Sequence, residues 1–173
     1  MSIKDTDVEV VGGKVVLKST KQPVNGVVFC YFNENFLGEI PYKDGKKEGI
    51  AREYYKSGKL RTRVPYKNDK IEGIGKLYLE NGTLASESPY KKDKVEGIVR
   101  LYYESGELMC ETPHKNNKKE GIQRYYHKNG ELAGEIPYKK DKKEGVGRLY
   151  DEGGKLRTET SYKDDEKQPY SSV

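Results

Sequence analysis

"PYKKDKVEGIVRLYYESGELMCET", at residues 89–112, is one copy of a unit that recurs every 24 residues without an insertion. The other copies begin with "PYKDGKKEGI" (41–50), "PYKNDKIEGI" (65–74), "PHKNNKKEGI" (113–122) and "PYKKDKKEGV" (137–146). A shorter, degenerate copy begins at Pro23, and the last copy decays from Ser161. Self-similarity at a fixed short period is the signature of a repeat array, so we expect one here.

Each unit is expected to form a β-hairpin. Apolar positions alternate with period two, and glycine or proline interrupts the chain about every dozen residues. "YYESGEL" has the pattern of two strand ends around a Ser-Gly turn. A second turn is "KDGK" at residues 43–46. In later copies the position of Gly45 is taken by residues that tolerate the left-handed backbone region, namely Asp69, Asp93, Asn117 and Asp141.

A three-residue turn with a glycine bulge at Gly58 predicts the register of the hairpin. The expected opposite pairs are Tyr54 with Leu60, Arg52 with Thr62, and Ile50 with Val64, and Tyr66 continues the same side. The other side would carry Ala51, Glu53, Arg61 and Arg63. Residue identities recur on the first side and vary on the second. The first side is therefore expected to be constrained by packing or by a ligand.

We expect an all-β fold, an elongated single-layer antiparallel sheet of stacked 24-residue hairpins. Residues 23–160 would hold roughly five to six of them. Residues 1–22 include "VEVVGGKVVLK" (8–18) and are predicted to form a hairpin that caps one edge of the sheet. Residues 161–173 are predicted to be a decayed repeat and a charged tail. Because an isolated hairpin is marginally stable, stacking must supply most of the stability.

The composition narrows the classes of function. Hydrophobic residues make up 33% and charged residues 35% of the chain, which leans towards disorder, but 15 tyrosines and the strict repeat argue for thin, regular packing. The net charge is +5, with 33 Lys and Arg interspersed among 28 Asp and Glu. This mixture is typical of a solvated surface and argues against nucleic-acid binding.

Cysteine usage and the N-terminus predict the compartment. Cys30 and Cys110 lie far apart without metal-like neighbours, so we expect free thiols in a reducing compartment. The N-terminus has no basic region followed by an apolar one, and no stretch is long enough to span a bilayer. The expectation is a soluble, cytoplasmic protein.

The stretch "DGKKEGIAREYYKSGKLRTRVPYK" (44–67) resembles the MORN-repeat variant of bacterial proteins identified as YwqK-type antitoxins. The shared pattern is a glycine, an aromatic pair, Asn-Gly-Lys-Leu and a Tyr-Lys-Asp-Gly-Lys turn. The resemblance implies a bacterial repeat protein that holds a protein partner, and some MORN proteins are linked to anionic lipids. The family often has His-Gly where this chain has glutamate before glycine, so a role for that histidine does not carry over. The glutamates are Glu48, Glu72, Glu96, Glu120 and Glu144.

A basic residue followed two positions later by a tyrosine recurs in each full copy, and these are the candidate binding residues. They are Arg52 and Tyr54, Lys76 and Tyr78, Arg100 and Tyr102, Arg124 and Tyr126, and Arg148 and Tyr150. In one interpretation each cation lies over neighbouring tyrosine rings, where its stem covers apolar surface and its charge gains a cation–π contact. In the other, the row is a docking surface, since tyrosine and arginine are enriched at interface hot spots. The sequence leaves both interpretations open.

The remaining reactive residues favour structural roles. His114 and His127 replace repeat aromatics, and Cys110 occupies a small-residue position. The recurring glutamates before glycine are expected to form a structural ladder that caps the following turns. We find no catalytic constellation and no motif for a metal or a cofactor, so we expect no enzymatic activity.

The leading expectation is a non-catalytic protein–protein interaction scaffold, antitoxin- or immunity-like, that binds a partner such as a toxin through its Tyr/Arg face. The alternative is a peripheral binder of anionic membrane lipids through Lys-rich turns such as Lys142-Lys143, although acidic residues interrupt each cluster. Edge-to-edge self-association of the sheet is a further possibility.

Overall fold

The computed structural model describes residues 2–32 and 35–168. Within that part of the chain the only helical segment is a 3₁₀ turn at Asp5–Asp7, and no helix is long and apolar enough to cross a bilayer. The strands are β1 (Ile3–Lys4), β2 (Val8–Val11), β3 (Lys14–Leu17), β4 (Gly26–Phe32), β5 (Asn35–Lys43), β6 (Lys46–Lys47), β7 (Gly49–Tyr54), β8 (Leu60–Lys67), β9 (Lys70–Ile71), β10 (Gly73–Tyr78), β11 (Leu84–Lys91), β12 (Lys94–Val95), β13 (Gly97–Tyr102), β14 (Leu108–Lys115), β15 (Lys118–Lys119), β16 (Gly121–Tyr126), β17 (Leu132–Lys139), β18 (Lys142–Lys143), β19 (Gly145–Tyr150), β20 (Leu156–Lys163) and β21 (Glu166–Lys167).

The chain divides into two compact units, and each is an antiparallel sheet of hairpins. Unit 1 holds residues 2–32, 35–83 and 90–93, in which β4, β5, β7, β8 and β10 pair in that order. Unit 2 holds residues 84–89 and 94–168, in which β13, β14, β16, β17, β19 and β20 pair in order. Each repeat adds a two-residue strand that folds back on the second long strand, as β9 does on β8. The prediction of an all-β antiparallel sheet of 24-residue hairpins is confirmed.

Both predicted turns form. In the hairpin of β7 and β8, the amide of Tyr55 donates to the carbonyl of Lys59, and Gly58 closes the three-residue loop at φ 81°. In the second turn, Asn68 and Asp69 both have positive φ, 49° and 67°. The Asp69 carboxylate also accepts the Lys47 amide at 2.8 Å. Aspartate therefore suits this position because it tolerates the backbone and bonds the preceding repeat.

The glutamates that precede glycine cap the turns of the next repeat, as the sequence predicts. Glu48 Oε2 accepts the backbone amide of Asn68 at 2.8 Å. The same bond recurs from Lys92 to Glu72, Asn116 to Glu96, Lys140 to Glu120 and Asp164 to Glu144. These carboxylates are thus used in holding successive turns together.

The predicted hairpin register is correct at the turn and wrong beyond it. Tyr54 lies opposite Leu60 as expected, but Arg52 lies opposite Arg63 and not opposite Thr62. The cause is a β-bulge, in which Arg61 is left unpaired between the two strands. The bulge shifts every later pair by one residue. It therefore moves the residues of the second strand to the other side of the sheet.

The register defines two faces in the sheet of each unit. The arginine face is the side that carries Ile50, Arg52, Arg63 and Pro65 and their counterparts in other repeats. The opposite face carries Ala51, Glu53, Thr62, Val64 and Tyr66 and their counterparts. Ile50 was predicted to lie opposite Val64, and Tyr66 was predicted to share the side of Arg52. Ile50 in fact lies opposite Pro65, and Val64 and Tyr66 lie on the opposite face.

The few buried side chains in the described chain are close to the N-terminus or on the opposite face. Val16 and Val24 are buried near the N-terminal hairpin, and Val28 is buried on β4. In unit 2 the Gln123 side chain is 6% exposed and donates to Thr112 Oγ1 at 2.8 Å and to Cys110 Sγ at 3.3 Å. The packing is thin, so stability depends on repeated strand and turn contacts.

The N-terminal hairpin forms from β2 and β3 but does not lie on the edge of the repeat sheet. Instead, Val15 donates its amide to the carbonyl of Gly45 at 2.8 Å, in the first repeat turn. The edge strand β4 is paired by β1, which lies parallel to it with Ile3 opposite Val28. The Asp5 carboxylate also accepts the amide of Tyr31 on β4. The expectation that the hairpin covers the edge is therefore wrong, because residues ahead of it take that place.

Candidate functional site

The arginine face of unit 2 carries a charge row in which cations and carboxylates alternate. Glutamates lie directly opposite arginines on neighbouring strands, in the order Glu87, Arg100, Glu111, Arg124, Glu135, Arg148 and Glu159. Arg100 Nε lies 2.8 Å from Glu111. Arg148 contacts two carboxylates, Glu159 at 2.7 Å and Glu135 at 3.2 Å. The row is therefore close to neutral, although the sequence showed only its basic members.

Unit 1 has a different charge row on its arginine face. Glu39 lies opposite Arg52 and pairs with it at 2.8 Å. The next residue in the row is Arg63, which lies opposite Arg52 on one side and opposite Lys76 on the other. Unit 1 therefore has three adjacent cations where unit 2 alternates.

Cation–π contacts are made by lysines outside the candidate set. They include Lys47 over Tyr66 at 4.9 Å and Lys119 over Tyr138 at 4.6 Å. Those pairs join a two-residue strand to the next repeat and lie on the opposite face. Arg52, Arg100 and Arg148 instead contact glutamates, because the bulge places these carboxylates on the arginine face.

Tyr54, Tyr102 and Tyr126 donate their hydroxyls to glutamates of the charge rows. Tyr102 OH lies 3.1 Å from Glu87, and Tyr126 OH lies 3.2 Å from Glu111. Burial, followed by the neighbouring Glu111 carboxylate, raises the pKa of Tyr126. In unit 1, burial and then Glu39 raise the pKa of Tyr54. Both hydroxyls therefore stay protonated at neutral pH and act as donors.

An apolar row lies beside the charge row on the arginine face of unit 2. Ile98, Ile122 and Val146 are the residues two positions before the arginines, and each is 38–40% exposed. Ile98 lies opposite Pro113, and Ile122 lies opposite Pro137. This face thus combines exposed branched side chains, prolines, tyrosine rings and paired charges.

The opposite face carries an open cavity in unit 1. Its volume is about 360 Å³, and its lining includes Cys30, Ala51, Glu53, Thr62 and Tyr66. Burial, then the charge of Asp5, raises the pKa of the Cys30 thiol. A thiol with a raised pKa is a poor nucleophile at neutral pH, so this cavity offers no activated cysteine.

Neither histidine has the surroundings of a catalytic base. His114 Nδ1 donates to the carbonyl of Thr112 at 2.9 Å, and His127 Nε2 donates to the carbonyl of Tyr150 at 3.1 Å. Cys110 is buried against Thr112. Across residues 2–32 and 35–168, no group of three or more His, Cys, Asp or Glu is arranged to hold a metal ion.

The structure thus places the candidate residues of each unit on one face, but with partners that sequence reasoning missed. The missed residues are the glutamates and the exposed apolar row. The glutamates recur at a 24-residue spacing, so a signal was present in the sequence. The recurrence was hard to recognise for two reasons. Arg63 interrupts the series of glutamates, and the predicted register placed these glutamates on the face opposite the arginines.

Comparisons with known proteins are informative mainly for the repeats. No curated protein matches the sequence. A solved structure described as "Crystal structure of GtfA/B complex bound to UDP and GlcNAc" aligns with 70% of this chain at 16% identity and a TM-score of 0.29, and the alignment spans 25% of that chain's length. The model for the MORN repeat variant matches five consecutive segments, 47–68, 71–92, 95–116, 119–140 and 143–164. The protein therefore belongs to the MORN repeat variant family.

Proposed function

We propose that this chain is a non-catalytic scaffold that binds a protein partner through the arginine face. The observation that carries the proposal is the apolar row of Ile98, Ile122 and Val146 beside a charge row that is already neutralised. Exposed apolar side chains bordered by paired charges and tyrosines are typical of protein interfaces.

Family membership supports the same class of function. MORN repeats are non-enzymatic modules that commonly take part in protein or membrane binding. Because Arg100 and Arg148 contact glutamates, the arginine face of unit 2 presents little net positive charge to an anionic bilayer or to nucleic acid. A protein surface is the partner that such a mixed face fits best.

The specific form of the proposal is an antitoxin- or immunity-like role in the bacterial cytoplasm, with a toxin as the partner. Its support is the likeness of the repeats to those of YwqK-type antitoxins. Co-expression tests it, because the chain should rescue growth of cells that express a toxin encoded beside its gene. Unchanged toxicity of each neighbouring gene product would contradict this role and leave the scaffold proposal standing.

Two matched variants test the binding face. Ile98 and Leu101 lie on the same strand, are 40% and 37% exposed, and point to opposite faces. In affinity capture from the native cells, followed by mass spectrometry, Ile98→Ser should remove a specific partner that the wild-type chain retains. Leu101→Ser should keep it. Loss with Leu101→Ser alone would place the interface on the opposite face.

A membrane surface is the second candidate, and the Lys-rich turns favour it. Lys139, Lys140 and Lys142 lie around a shallow depression in unit 2, but Glu144 and Asp164 share it, and Lys142 pairs with Asp164 at 3.0 Å. Co-sedimentation with phosphatidylserine vesicles tests this candidate. Binding that survives moderate salt and is lost in Lys139→Glu would favour a membrane over a protein partner.

A further inference from the structure

Arg63 breaks the charge alternation of the arginine face. The glutamates at the equivalent positions of the other repeats are Glu39, Glu87, Glu111, Glu135 and Glu159. In unit 1 the row instead runs Glu39, Arg52, Arg63, Lys76 across neighbouring strands. Three cations therefore follow one another in unit 1, whereas cations and glutamates alternate in unit 2.

The local structure gives no reason for an arginine at this position. Arg63 is half-buried, and the described chain shows no hydrogen bond or ion pair from its side chain. Like charges directly opposite each other in a sheet are destabilising. A glutamate at position 63 would face Arg52 and Lys76 as Glu111 faces Arg100 and Arg124. The fold would thus be better served by the residue that the other repeats have.

We infer that Arg52, Arg63 and Lys76 bind an acidic, extended segment of the partner protein. This inference deepens the proposed scaffold function and rests on it. Arg63 has a cation directly opposite it on both neighbouring strands, so the row offers an acidic segment positive charge that Glu39 alone does not offset.

The spacing of the row suits an extended peptide. Neighbouring strands lie about 4.8 Å apart, so the three cations span roughly 10 Å. Side chains on one face of an extended peptide recur about every 6.8 Å, so two alternate acidic residues fit along the row. A membrane surface or a nucleic acid requires a broader field of cations, and Glu39 closes one end of this row.

The test measures binding of fluorescein-labelled hexaglutamate to the purified full chain by fluorescence anisotropy in low-salt buffer. We expect saturable binding that Arg63→Glu weakens roughly tenfold or more, as loss of two charge-assisted contacts implies. The control is Lys67→Glu, which makes the same change of net charge farther along the same strand. It should weaken binding less than about twofold. Equal weakening by both variants, or no binding to the wild-type chain, would overturn the inference.

Two further measurements distinguish a peptide site from a structural role of Arg63 and from a lipid site. Thermal unfolding of Arg63→Glu should give a Tm equal to or above that of the wild-type chain, whereas a lower Tm would show that Arg63 is a structural residue. If the chain bound phosphatidylserine vesicles in a manner that depends on Arg63 but did not bind hexaglutamate, the three cations would form a lipid site. That result would overturn the inference of an acidic peptide segment. In affinity capture, Arg63→Glu should lose the partner that Ile98→Ser loses. If only Ile98→Ser loses it, the scaffold proposal stands and the acidic segment is excluded.

Discussion

Tyr103 and His127 stand at equivalent positions of successive repeats and make the same bond. Tyr103 OH donates to the carbonyl of Tyr126 at 2.8 Å, and His127 Nε2 donates to the carbonyl of Tyr150 at 3.1 Å. In unit 1, Tyr55 bonds Tyr78 in the same way at 2.7 Å. A planar side chain with one polar tip is what this position needs, because it must reach the backbone of the next repeat.

Strain at single residues of the second turn gives a first prediction. Lys140 has φ 51° in a turn whose equivalent residues include Asn68 and Asn116. A left-handed backbone conformation raises the conformational energy of lysine more than that of asparagine. Lys140→Asn should therefore raise the free energy of unfolding by roughly 1 kcal/mol. Urea denaturation measures the change, and the Lys140 amide bond to Glu120 is retained in the variant.

Lys139→Asn is the control for this prediction, because Lys139 lies in β17 and does not have positive φ. It should be neutral or slightly destabilising, since asparagine is a poor strand residue. A gain of equal size in both variants would point to loss of lysine charge as the cause and would contradict a role for backbone strain.

Many features of individual residues are predictable from the sequence. The glycine at φ 81° in the first turn, the aspartates with positive φ in the second, and the replacement of tyrosine by His127 all follow from backbone sterics and side-chain shape. The hydrogen bond from Lys47 to Asp69 does not, because it joins residues 22 positions apart and depends on how the repeats stack.

At the scale of elements, the β-bulge is the feature that sequence reasoning missed. The unpaired residues at this place include Arg61, Met109, Ala133 and Arg157. They share neither size nor polarity, so no residue type marks the bulge in the sequence. Its effect is nevertheless large, because a one-residue shift exchanges the faces of a whole strand.

The first repeat turn and the N-terminal hairpin give a second prediction. A Cβ on Gly45 would lie 2.7 Å from the carbonyl oxygen of Val15, which explains why glycine stands where later turns have Asp or Asn. Gly45→Asp should lower the free energy of unfolding by about 1–3 kcal/mol, since the hairpin must move away. Gly58→Asp is the control. Its Cβ would meet no atom within 4 Å, and it should cost no more than about 1 kcal/mol. Equal losses would contradict the contact.

The alternating charge row gives a third prediction, concerning β17, β19 and β20. Arg148 contacts both Glu135 and Glu159, so it is part of the charge row and does not form an isolated ion pair. Arg148→Glu should lower the Tm. Adding Glu159→Arg should restore it only in part, because the new carboxylate at position 148 would still face Glu135. Full restoration in the double variant, measured by calorimetry, would show an independent pair.

At the scale of the whole molecule, the fold class was predictable because a 24-residue period with turn residues in register permits few architectures. The composition of the proposed binding face was not. It depends on which residues share a side after the bulge, and on the exposure of Ile98, Ile122 and Val146. The sequence alone shows a row of basic residues, whereas the structure of unit 2 shows these residues among glutamates and exposed apolar side chains.

Photocrosslinking in the native cells is the sharpest test of this binding face. A photoreactive phenylalanine analogue would replace either Ile122 on the arginine face or Tyr125 on the opposite face; the two side chains share β16 and are 38% and 36% exposed. We expect a discrete adduct with one protein from position 122 and none from position 125. An adduct from position 125 alone, or adducts with lipid alone at position 122, would contradict a protein-binding arginine face.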